Sequence, residues 1–73
     1  MDRATLGQHL AQAERHVAEG EDHIARQRQI IDELASGGHD LKVARELRAH
    51  FEDTQMLHLA DRDRIRGELA TRK

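Results

Sequence analysis

The sequence has no cysteine, proline, tryptophan or tyrosine, and its only phenylalanine is Phe51. Without cysteine there is no disulfide, no thiol nucleophile and no thiolate metal site. Without proline, nothing in the chain must break a helix from within. So few aromatics leave no stacking platform for single-stranded nucleic acid. A charge excess is missing too: 12 Lys and Arg stand against 14 Asp and Glu, for a formal net charge of −2. With no basic stripe, nucleic acid and anionic membrane surfaces are not the expected partners. Long apolar runs are absent as well. The N-terminal MDRATLGQHLAQ lacks a signal-peptide core, and no segment is apolar enough to span a membrane. A soluble, cytoplasmic protein is expected.

What is present points to helices. The 73 residues allow one domain, with 36% charged and 37% hydrophobic residues. Abundant Ala, Glu, Arg, Leu and Gln without proline is the composition of long helices and coiled coils. One stretch punctuates it, Ser36-Gly37-Gly38-His39-Asp40. Gly37 can take the left-handed position that ends a helix, and Asp40 can cap the next. At the start, Asp2 or Thr5 can serve as N-cap, and Thr5 with Gln8 matches a capping box. The expected elements are a first helix over 3–36, a turn over 37–40 and a second helix over 41–70.

The first helix carries a strict heptad. Leu10, Val17, Ile24 and Ile31 form one column, and Leu6, Ala13, Gly20, Gln27 and Leu34 the other. A 3.5-residue repeat means a seam against a partner helix. His9, His16, His23 and Ile30 run along one edge of it. The second helix looks less regular, with Val43, Leu47, Phe51, Thr54, His58, Asp61, Ile65 and Leu69 on a wide arc. The short turn makes an antiparallel hairpin, pairing residues whose numbers sum to roughly 76. The expected hairpin core is Leu6, Leu10, Ala13, Val17, Gly20, Ile24, Ile31, Leu34, Leu47, Phe51, Ile65 and Leu69. Gly20 should make room for His58. A hairpin this thin has little interior, and chains of this size need a staple. The fold class is therefore all-α: an antiparallel, coiled-coil-like two-helix hairpin that dimerises into a four-helix bundle.

Function is less directly written. No serine or cysteine nucleophile pairs with a base, and Gly37-Gly38 does not follow a strand as a phosphate loop would. The chain reads as non-enzymatic and without a cofactor. The leading expectation is an interaction or scaffold module that self-associates as a homodimer and binds another protein through Leu41, Met56 and Leu59. The alternative is a metal-binding bundle using His58 and Asp61, three apart on one helix, with His16 or His23 from the other. Against it stands a polar layer that merely sets register. Protonation of all six histidines would move the formal charge from −2 to +4, which offers a pH switch. A further alternative is an RNA-binding hairpin dimer, centred on Arg62, Arg64 and Arg66. Interleaved Asp61 and Asp63, and helix-face pairs such as Arg48–Glu52 and Glu68–Arg72, oppose it.

Two stretches, EGEDHIARQ (residues 19–27) and FEDTQMLHLADRDRIR (residues 51–66), resemble a group of short uncharacterised bacterial helical proteins. Those proteins likewise join two helices through a glycine-rich turn. The resemblance implies a hairpin and a bacterial cytoplasmic setting, and no activity, cofactor or catalytic residue.

Overall fold

A computed structural model describes residues 2–71. Helix α1 spans Arg3–Ser36 and helix α2 spans Lys42–Thr71, and the two pack against each other as a hairpin. The first helix has the expected bounds, and the second is displaced by one residue. Among the described residues there is no strand. No helix is long and apolar enough to cross a membrane. The hairpin measures 57 × 14 × 13 Å.

Each end of α1 is closed by local chemistry. Asp2 is the N-cap: its carboxylate accepts the Thr5 backbone N–H at 2.7 Å, so Thr5 lies within the helix instead of capping it. At the other end the left-handed residue is Gly38, at φ 73°, and not Gly37, which stays right-handed at φ −86°. The Gly38 N–H donates to Ala35 O at 3.1 Å and the His39 N–H to Leu34 O at 3.0 Å. This is the two-bond Schellman closure, and it requires the positive φ one residue beyond the helix's last half-turn. Asp40 accepts the Lys42 N–H at 3.0 Å and so starts α2. The Glu68–Arg72 pair lies outside the described residues.

The packing of α2 corrects its sequence reading. Its inward residues are Ala44, Arg48, Phe51, Gln55, His58, Arg62, Ile65 and Leu69, preceded by Leu41 just before the helix, all buried or half-buried. These are spaced alternately three and four apart, so α2 carries as strict a heptad as α1. Val43 and Leu47, placed on the seam by their hydrophobicity, are 75% and 43% exposed. Leu47 therefore leaves the expected core, and Leu41 joins the seam instead of facing outward. Thr54 yields its place to Gln55, and Asp61 to Arg62.

The apolar core lies toward the chain ends, where Leu6, Ala13 and Ile65 are buried with Leu10 and Leu69 packed on them. Val17 and Ile31 are also buried, while Ile24, Leu34 and Phe51 are half-buried. Arg3 donates to the Leu69 carbonyl at 3.1 Å and so places a cation at the C-terminal end of α2.

Adding a Cβ at Gly38 forces a side chain into the left-handed region, at a cost of about 1–2 kcal/mol. Gly38→Ala is expected to lower unfolding stability by about 1 kcal/mol in urea titrations, and Gly37→Ala by less. The reverse order would show that the turn closes differently.

Candidate functional site

The middle of the seam is polar on both helices. Gln55, 7% exposed, donates from Nε2 to the Val17 carbonyl of α1 at 2.8 Å. Gln27, 5% exposed, donates from Nε2 to the Ala44 carbonyl of α2 at 2.8 Å. Each helix thus sends one amide to the backbone of the other. Helical carbonyls are already engaged within their own helix, but each has a second lone pair to offer. Reaching that lone pair requires a gap in the side-chain layer. At α1 the gap is Gly20. A Cβ there would overlap Gln55 Oε1 and stand 2.6 Å from its Cδ. Gly20 therefore makes room for Gln55, and not for His58 as the sequence suggested. The turned face of α2 explains the exchange, since Gln55 and not Thr54 stands on the seam. Among the described residues, Gln55 Oε1 and Arg48 Nε are the buried side-chain polar atoms without a hydrogen-bond partner. Arg48 Nε lies 3.6 Å from Glu52.

The two flanks of the seam differ. On one, Glu14 pairs with Arg66 at 3.2 Å and Arg28 with Glu52 at 3.9 Å, both across the helices. On the other flank the furrow between the helices is open. A depression of about 70 Å³ there is bordered by His16, Gly20, His23, Phe51, Gln55 and His58. The imidazoles of His16 and His58 approach to 5.1 Å between centroids, at 45°. His23 packs on Phe51 at 5.5 Å and 39°. A second depression, nearer the chain ends, takes in His9, Ala13, His16, Asp61, Arg64 and Ile65. His50 lies four residues before Thr54, which borders the first depression, and so shares that side of α2. Five of the six histidines lie along this open face; His39 sits in the turn.

The four residues read as a metal set are thereby divided. His16 and His58 meet, and His23 turns to Phe51. Asp61 is held by Arg64 at 2.7 Å, and Arg64 also reaches Glu68 at 2.9 Å. The Asp61 hydrogen bond raises the Arg64 guanidinium pKa above its ordinary value, with Glu68 adding to the effect. Among the described residues no group of three His, Asp or Glu side chains converges to hold a metal ion. The three expected partner-surface residues are divided as well. Met56 is 68% exposed, Leu59 is half-buried, and Leu41 belongs to the seam. Residues 56 and 59 fall in the same helical column as Glu52, on the ion-paired flank. The open face instead displays Val43, Leu47 and Leu57, the last 72% exposed. Their signal in the sequence is the heptad of α2, in which 43, 47, 50, 54 and 57 lie one position before the seam. No protein family, curated protein or solved structure matches this chain.

Gly20→Ala gains helix propensity of up to about 1 kcal/mol but displaces the Gln55 amide from its carbonyl, which costs about 1–3 kcal/mol. The expected result in thermal or urea unfolding is net destabilisation. In a Gln55→Ala background the same change should become stabilising, and equal effects in both backgrounds would remove the close-approach role of Gly20.

Proposed function

We propose that this chain is a non-enzymatic interaction module whose partner is a second copy of itself, joined through the open face into a four-helix bundle. The observation that carries the reading is the contrast between the flanks. One is closed by interhelical ion pairs; the other exposes Val43, Leu47 and Leu57 beside a half-buried furrow. Among the described residues only five apolar side chains are buried, a small core for 73 residues without disulfides. Chains of this size gain the missing burial by association. One face of the hairpin, 57 by 14 Å, offers about 800 Å², the area each partner contributes to an ordinary stable interface.

The distribution along the face selects an orientation. Val43 and Leu47 lie near the turn, whereas His9, Asp61 and Arg64 lie toward the chain ends. Apolar residues cover one another when both turns point the same way, with the two-fold axis along the furrow. Every helix then has antiparallel neighbours, as in an up-and-down bundle. RNA is less well served. Arg62 pairs with Asp63, Arg64 with Asp61 and Glu68, and Arg66 with Glu14, so the densest arginine cluster is neutralised locally. Catalysis has no support in the placement of Ser36, exposed at the end of α1 and remote from the furrow histidines.

Sedimentation equilibrium at micromolar concentration is expected to show a dimer, and a compact monomer would overturn the proposal. Joint Leu47→Glu and Leu57→Glu replacement should weaken association by about a hundredfold, whereas Met56→Glu should change it little. Spin labels on Ser36→Cys are expected to lie much closer together than the 57 Å hairpin length. A separation near that length would instead place the two turns at opposite ends.

A further inference from the structure

The open face holds one pair of side chains whose spacing matches a ligand. We propose that His16 and His58 form half of a zinc site, completed by the same two residues of a second copy. This rests on the face-to-face dimer proposed above.

The distance is the first argument. Two imidazoles bound to one tetrahedral ion, with metal–nitrogen bonds of about 2.0–2.1 Å, have ring centroids about 5 Å apart. The His16 and His58 rings are 5.1 Å apart, and they come from different helices. Both are half-buried against the seam, so helix packing sets their separation, and little side-chain entropy remains to be lost on binding. By contrast His9, His16 and His23 repeat every seventh residue, about 10 Å apart along one helix, too far to share an ion.

The second argument is incompleteness. No third His, Asp or Glu joins this pair within the described hairpin, and the nearby Asp61 is occupied by Arg64. A structural zinc site takes four ligands. In a two-fold dimer a residue meets its own counterpart only near the axis. An axis along the furrow passes beside His16 and His58, which border it. Two copies then supply four neutral imidazoles, a donor set that suits zinc and excludes calcium or magnesium, which require oxygen. His23 and Phe51 flank the pair.

Zinc chloride titrated into chelator-treated protein tests this by calorimetry, with sedimentation velocity run in parallel. The expected result is one zinc per two chains and association tightened by about tenfold or more. Cobalt in place of zinc should give the intense visible bands of a tetrahedral site. His16→Ala and His58→Ala should each abolish this stoichiometric binding and leave helicity unchanged. His9→Ala should retain it. A zinc-free dimer that binds no zinc, or one whose zinc survives joint loss of His16 and His58, overturns the metal site and leaves the dimer standing. One zinc per monomer overturns the shared site. A monomer that dimerises only with zinc supports the site while overturning the metal-free dimer, and a monomer under both conditions overturns both.

Discussion

Two buried amides hold the hairpin in register. Gln27 of α1 bonds to the backbone of α2, and Gln55 of α2 bonds to the backbone of α1. A heptad seam of alkyl groups alone tolerates sliding by whole repeats, because every layer resembles the next. An amide in the same seam does not. Moved by one repeat, it loses its carbonyl and stays buried, at about 1–3 kcal/mol for each unsatisfied group. Two such amides, pointing in opposite directions, penalise slippage either way. Their role is that of the polar core residue that specifies register in coiled coils. Gly20 belongs to the same device, since the Gln55 amide reaches Val17 only over a residue without a side chain.

Register in turn decides what each flank displays. With Gln55 over Gly20, Glu14 meets Arg66 and Arg28 meets Glu52 on one side. These pairs are solvent-exposed, and such pairs contribute about 0–1 kcal/mol each, so they orient the flank more than they stabilise it. The same register leaves the other side with histidines, a furrow and exposed aliphatic groups. A shift of one repeat would separate His16 from His58. Both the exposed aliphatic face and the paired imidazoles are thus consequences of where two glutamines find their carbonyls.

The first helix was legible because its seam is mostly apolar, so its periodicity and hydrophobicity give the same answer. In α2 they conflict. The column Leu41, Arg48, Gln55, Arg62 and Leu69 is polar at its three central positions, while the aliphatic Val43, Leu47 and Leu57 lie beside the seam. Following hydrophobicity rotated the N-terminal half of α2 by one residue, and the expected core gained Leu47 at the expense of Gln55. Arginine occupies such a position by laying its alkyl stem along the seam and sending its head outward. In the turn, the glycine pair was legible but its division of labour was not. Either glycine accepts a positive φ, and the hydrogen bonds of His39 and Gly38 to the last turn assign it to Gly38.

Composition, heptad spacing and one glycine pair sufficed to determine an antiparallel helical hairpin with its turn near residue 38. These are local properties: helix propensity, seam periodicity and caps act within a few residues of one another. The tertiary structure decided everything that depends on the other helix. It placed Gln55 instead of His58 over Gly20, brought His16 to His58, set His23 on Phe51 and tied Asp61 to Arg64. It also turned Leu41 inward and left Leu47 and Leu57 outside. The physical reason is that a helix sequence restricts which residues share a face. Only the fit of side chains against a second backbone selects which face is buried and at which level.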